Sequence, residues 1–225
     1  MSHSPGVRQA QKQKTRQAFL DAALGLLEEQ SLSSLGLREV TRAVGVAPTA
    51  FYRHFHSTAD LGVALVEEAL GSLHPMISET VSASAEDESE REGEGGGGGG
   101  GGGKDGGERR IDHAVALIAR HVREYPAHVR FIARERNGGV QKVRAAIAEQ
   151  MALFADEVRV ELAKRPESAG WSDDDLLMLA GLYVDQMLMT ASTFLEAGPE
   201  EEDRVALAAT RRMLLIGIGR RHWLD

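Results

Sequence analysis

The chain has 225 residues, 42% hydrophobic and 27% charged, enough for one or two globular domains with a proper core. It contains no cysteine, which excludes a disulfide framework, a thiolate zinc site and a cysteine nucleophile. The net charge is −8, yet residues 1–56 carry seven Lys/Arg against four Asp/Glu, so a basic head precedes an acidic remainder and points to a polyanion partner for the head alone.

No apolar run approaches the roughly 20 residues that span a bilayer, and the opening MSHSPGVRQAQKQKTR lacks the apolar stretch of a signal peptide. The expectation is a cytoplasmic protein without a membrane partner. Helical periodicity dominates the chain and strand alternation is missing. In QAFLDAALGLLEEQ, residues Phe19, Ala22, Ala23, Leu26 and Leu27 recur at i, i+3, i+4, i+7 and i+8, one face of an amphipathic helix. After SLSS, the run LREVTRAVG places Leu37, Val40 and Val44 on a second, shorter helix that Gly45 ends with a sharp turn. Pro48 suits the first turn of a third helix reaching about Phe55.

Ser57-x-x-Asp60 resembles a capping box and opens a fourth helix carrying Leu61, Leu65, Leu73 and Ile77, with a bend expected at Pro75. The pattern fades near Ala85. Residues 85–109 are acidic and then glycine-rich, with nine consecutive glycines at 95–103, and read as a flexible solvated insertion because nothing there can bury apolar surface. GGGGGGK at 98–104 superficially matches a phosphate-binding loop, but Asp105 stands where Ser or Thr should hold magnesium and no strand precedes it.

Helices resume with Ile111, Val115, Ile118 and Val122, ended by Tyr125-Pro126; then Val129, Phe131 and Ile132, closed by Asn137-Gly138-Gly139. Val143, Ile147, Met151, Phe154, Val158 and Leu162 make a long seventh helix, stopped near Pro166. Ser172-x-x-Asp175 opens an eighth that reaches about Glu196, and Gly198-Pro199 separates it from a ninth over roughly 201–221. The expected fold is therefore all-α, about nine helices. A three-helix DNA-binding head over 1–56 would precede a helical body for ligand binding and dimerisation over 57–225.

Two short helices across a glycine turn, braced by a first helix, form a helix-turn-helix, whose second helix enters the DNA major groove. Phe51 and Phe55, at i and i+4, can face the core, which leaves Thr49, Ala50, Tyr52 and Arg53 largely outward. Thr49 can bond a base edge or phosphate, and Ala50 is small enough to approach a thymine methyl. Tyr52 and His54 can donate to phosphate oxygens, and Arg53 can serve a phosphate or a guanine. Arg38 opens the preceding helix toward the backbone, and Lys12, Lys14 and Arg16 are placed as an arm on flanking phosphates or the minor groove. Singly, Tyr52 can equally pack beside the core and His54 can equally cap a helix end.

LREVTRAVGVAPTAFYRHF, residues 37–55, resembles the DNA-binding signature of the TetR family of transcriptional regulators, with Leu37, Val40, Gly45, Val46, Phe51, Tyr52 and Phe55 where that family has them. The resemblance implies a DNA-binding head, a dimerising ligand-binding body, and Arg38, Thr49, Ala50, Tyr52 and His54 as DNA contacts. Gly36 departs from the usual Ser or Thr cap, and Thr58 stands where many members carry a lysine for phosphate. GVRQAQKQKTRQAFLDAA, the stretch just quoted, the following DLG and FIARERNGG are similar to the fatty-acid-biosynthesis repressor branch, FabR. That likeness implies control of lipid genes by long-chain acyl thioesters on coenzyme A or carrier protein.

The eighth helix is apolar on more than one face. Tyr183, Met187 and Phe194 form one stripe; Leu177, Ala180, Val184, Leu188, Ala191 and Leu195 form another. Such a helix needs two apolar neighbours, and a second copy of the chain can supply one. With Leu207, Leu214, Leu215 and Ile218 of the ninth helix, a homodimer is expected, the alternative being a monomer that buries both faces. Phe131, Met151, Phe154, Met178, Tyr183 and Met187 are candidates for an acyl-binding wall, although each can equally be core. Arg134, in RERNGG, is a candidate for a ligand headgroup or, equally, for a helix-end cap.

No G-x-S-x-G or H-E-x-x-H occurs, and His113, His121 and His128 are read as solvated rather than zinc-binding. The chain is expected not to be an enzyme and to need no metal or cofactor. Its expected partners are operator DNA and a small effector. Two alternatives stand beside the lipid sensor: the same fold sensing a drug or other metabolite, and a DNA-packaging protein without effector.

Overall fold

The computed structural model describes residues 5–71, 73, 106–165 and 168–219. Among them are nine α-helices, one 3-10 turn at Pro199–Glu201 and no strand. In chain order the helices are α1 (Pro5–Leu26), α2 (Leu37–Val44), α3 (Pro48–Phe51), α4 (Thr58–Gly71), α5 (Gly106–Glu124), α6 (Pro126–Glu135), α7 (Gln141–Ala163), α8 (Asp173–Glu196) and α9 (Glu202–Gly219).

Punctuation in the sequence explains most boundaries. Gly45 follows α2 in the left-handed region at φ 76°, with its N–H on the Arg42 carbonyl and the Val46 N–H on that of Thr41. The Ser57 hydroxyl accepts the Asp60 N–H at 3.1 Å and opens α4; Ser172 and Asp175 form a reciprocal capping box at the start of α8. At α2 the glycine cap has no side chain to offer, but Glu39 still accepts the Gly36 N–H at 2.9 Å.

Two boundaries differ from expectation. The third helix is α-helical only over Pro48–Phe51; beyond it, Arg53 and His54 bond back three residues, to the Ala50 and Phe51 carbonyls, which tightens the last turn. The insertion read over 85–109 lies outside the described residues up to 105, but residues 106–109 already belong to α5, where Glu108 in the first turn suits a helix N-terminus. The glycine run and the bend at Pro75 also lie outside the described residues.

The chain divides into two compact units. The first combines the residues up to Gly71 with Ala127–Glu149. Thus α6 from Ala127 on and the first part of α7 pack with α1–α4, a partition different from a cut at residue 56. Its core holds Phe19, Leu20, Leu32, Val40, Phe51, Leu61, Leu65, Phe131, Ile132 and Val143, all essentially inaccessible. Gly62 lies in the tightest packing: a Cβ there would fall 2.4 Å from Leu32 and 2.7 Å from Val143. The second unit buries Val115, Leu117 and Ile118 of α5, Phe154 of α7, Leu176, Leu179, Ala180 and Val184 of α8, and Ala209 and Met213 of α9. Within it the Thr210 hydroxyl donates to Asp112 at 2.8 Å, joining α9 to α5.

By length and composition α8, 24 residues long, could cross a membrane, which corrects the expectation that no run comes near that size. The core helix of a soluble protein passes the same test, and this helix carries Asp185 and Gln186 midway.

Candidate nucleic-acid interface

The N-terminal head is built on three phenylalanines. Phe19 of α1 meets Phe51 edge-on at 5.4 Å between ring centres and Phe55 at 6.3 Å, while Phe51 and Phe55 lie 5.5 Å apart. Each such pair adds about 0.5–1.5 kcal/mol beyond the area it buries. Phe51 and Phe55 face inward, so the four-residue α3 cannot rotate, and its remaining side chains are aimed outward. Tyr52 is 59% exposed, its ring braced edge-on by Phe51 at 5.9 Å. Thr49 and Arg53 are exposed, Ala50 is half-buried, and Arg38 projects from the first turn of α2.

Lys12, Lys14 and Arg16 lie on α1, which begins at Pro5. Lys12 and Lys14 are exposed. Arg16 is half-buried, its guanidinium 5.3 Å from the centre of the Phe55 ring, a cation–π contact that fixes it beside α3. His54 packs on the same core, 5.7 Å from the Phe19 ring, and its Nδ1 is buried without a hydrogen-bond partner. Burial first, then the positive fields of Lys12, Arg16 and Arg53, lower its pKa below the ordinary value. Lys12, Arg16 and Arg53 thus form one basic cluster around His54 where α1 meets the turn after α3, an arrangement suited to a phosphate.

The ligand candidates are not brought together in this way. Phe131 is core of the first unit. The guanidinium of Arg134 donates to the carbonyls of Leu27 and Gln30, each at 2.7 Å, and of Glu28 at 3.3 Å, in the connection after α1. In the second unit Phe154 is core, Met151, Tyr183 and Met187 are half-buried, and Met178 is 46% exposed. A groove of about 280 Å³ there is lined by Thr190, Thr193, Arg204, Val205, Ala208, Ala209 and Arg212, none of them a candidate.

The apolar stripes of α8 are also redistributed. Ala180 and Val184 lie inside the unit, whereas Leu177, Met178, Leu182 and Met189 are the large apolar residues left outside, beside Leu207 and Leu215 of α9. His128 is not solvated: it is half-buried with Nε2 3.3 Å from Glu68, which also accepts from Gln17. The His121 ring lies tilted against that of Tyr125, their centres 5.1 Å apart.

Residues 19–65 match the family of bacterial regulatory proteins known as the tetR family. The matched stretch runs from α1 through α2 and α3 into α4. A stretch of 154 residues, 68% of this chain, is 34% identical to an uncharacterized HTH-type transcriptional regulator of Haemophilus influenzae and spans 65% of that protein's length. The fold is tetR-like over most of the chain. It is similar to the fatty acid degradation regulator FadR from Bacillus halodurans (TM-score 0.62, 12% identity, 93% of this chain and 97% of that one). It is also similar to NalD of Pseudomonas aeruginosa, the secondary repressor of the MexAB-OprM multidrug efflux pump (TM-score 0.60, 17% identity, 90% and 96%). FadR from Bacillus subtilis, in complex with stearoyl-CoA, matches with a TM-score of 0.52 at 14% identity over 80% and 95%.

Proposed function

We propose that the chain is a tetR-type transcriptional regulator, a cytoplasmic homodimeric repressor and not an enzyme. Residues 1–56 bind operator DNA, and a small ligand in 57–225 controls that binding. The observation that carries this reading is the outward-facing Tyr52 beside the cluster of Lys12, Arg16, Arg53 and His54, on a helix too firmly braced to turn. Thr49, Ala50 and Arg53 are assigned to base edges and phosphates, and Arg38, Lys12, Lys14 and Arg16 to the flanking backbone. The exposed apolar residues of α8 and α9 are assigned to the second copy, which places two heads on half-sites about 34 Å apart.

For the effector we favour a long-chain acyl thioester, on the FabR-like motifs and the stearoyl-CoA held by a protein of similar fold. The ligand acts only if it binds the DNA-competent and released states with different affinity. A drug-type effector is the second reading, favoured by the likeness to an efflux-pump repressor.

Duplexes selected from a random pool by the full-length protein supply the test, in gel shifts with and without oleoyl-CoA and palmitoyl-CoA. Release by either supports the lipid reading, and release only by another class of metabolite overturns it. Absence of sequence preference at physiological salt overturns the regulator reading in favour of DNA packaging. Tyr52→Ala should weaken operator binding about tenfold or more, the worth of a hydrogen bond to a charged group, without changing the oligomeric state.

A further inference from the structure

The motif RERNGG, residues 134–139, holds more hydrogen bonds than a helix end requires. α1 stops at Leu26, and the turn after it bonds back, with the N–H groups of Leu27, Glu28 and Glu29 on the carbonyls of Ala23, Gly25 and Leu26. Arg134 grips the chain just beyond it: its guanidinium, on α6, donates to the carbonyls of Leu27, Glu28 and Gln30, more than a hundred residues away in sequence. The next residue reaches further along the same loop. Glu135 is 1% exposed, and its Oε1 accepts the Leu32 N–H at 2.9 Å. Arg130, one turn earlier on α6, lies 3.6 Å from the Glu28 carboxylate.

The glycines make room for this grip. A Cβ on Gly138 would fall 2.1 Å from Glu135 Oε2, and one on Gly139 would fall 3.2 Å from Ser33. Arg144 of α7 in turn donates to the Gly138 carbonyl and holds the turn in place.

Stability alone does not account for the arrangement. Glu135 Oε2 is buried with no partner, and a buried carboxylate satisfied on one side only is a poor stabiliser beside an apolar residue of the same size. What the arrangement does is fix the loop 27–36, which connects α1 to α2 and so carries the helix-turn-helix.

We propose that Arg134 and Glu135 are positioning residues for DNA reading, a clasp through which α6 sets the pose of α2 and α3 against α1. The inference rests on the DNA-reading function proposed above. A clasp of this kind acts on selectivity: nonspecific binding needs only cations near phosphates, whereas base readout needs the two helices held in register.

The test uses full-length protein and a duplex selected by the wild type, with a scrambled duplex for comparison. The readout is the ratio of specific to nonspecific affinity, in which any loss of folded fraction cancels. Arg134→Ala should lower that ratio about tenfold, and Arg134→Lys, which keeps a cation for the same carbonyls, should restore most of it. Hydrogen exchange over 27–44 should quicken in Arg134→Ala and recover in Arg134→Lys. An unchanged ratio in Arg134→Ala, even with faster exchange over 27–36, overturns the clasp and leaves the regulator reading standing. A wild type that prefers no duplex overturns both.

Discussion

The two short helices of the head and the long pair α8 and α9 rest on opposite kinds of sequence information. In the head each position has one place to go. Phe51 and Phe55 must face Phe19, so Thr49, Tyr52 and Arg53 must face out, and the four residues of α3 with the turn after it are enough to aim them. In α8 nearly every position is apolar and the interior can accept several of them. The outward face is chosen by packing that the helix's own sequence does not encode. Sparse apolar residues phase a helix; abundant ones do not.

The comparison can be broken most sharply at Phe51. Truncation to alanine removes a fully buried ring shared by Phe19, Tyr52 and Phe55, and should cost about 3–5 kcal/mol. Loss of operator binding together with a lower unfolding midpoint in urea is the expected result; an unchanged midpoint contradicts the picture of an aromatic brace. The matching change in the body is Leu182→Glu with Met189→Glu, on the outward stripe of α8. Sedimentation should show monomers that keep their helical content, and a dimer of undiminished stability would move the subunit contact elsewhere.

The smallest effect sharpens the view of the head. Because its pKa is lowered on folding, His54 stays neutral in the folded chain to a lower pH than in the unfolded one, so the unfolded state takes up the proton first. The stabilising contribution is complete above the ordinary value of 6.5 and is lost as pH falls through the folded pKa. His54→Gln should therefore show a smaller drop in urea midpoint between pH 7.5 and pH 5.5 than the wild type. An equal drop in both would place the titration elsewhere.

Legibility followed the same division. Gly45, Pro48, Ser57 and Ser172 announce boundaries because each solves a local backbone problem, and the structure uses them so. The cluster around His54 was legible only in part. Its members were named, but a residue half inside and half outside has no pattern of its own, and neither does the Arg16–Phe55 stacking that joins α1 to it. The sequence leaves Arg134 two roles, since its partners are backbone carbonyls, which carry no side-chain signal. The ligand candidates carry the weakest signal. Met178 lies on the surface and Phe154 in the core because methionine and phenylalanine at helical spacing say only that something apolar is near.

At position 62 three pieces of chain meet with space for a hydrogen atom and nothing larger. Leu32 presses from the connection that leads into the helix-turn-helix and Val143 from α7, so trimming either neighbour leaves the other in the way. A bulkier residue at this site therefore requires both neighbours to shift. The same tightness makes it a natural gauge of whether these segments keep their spacing in any relative.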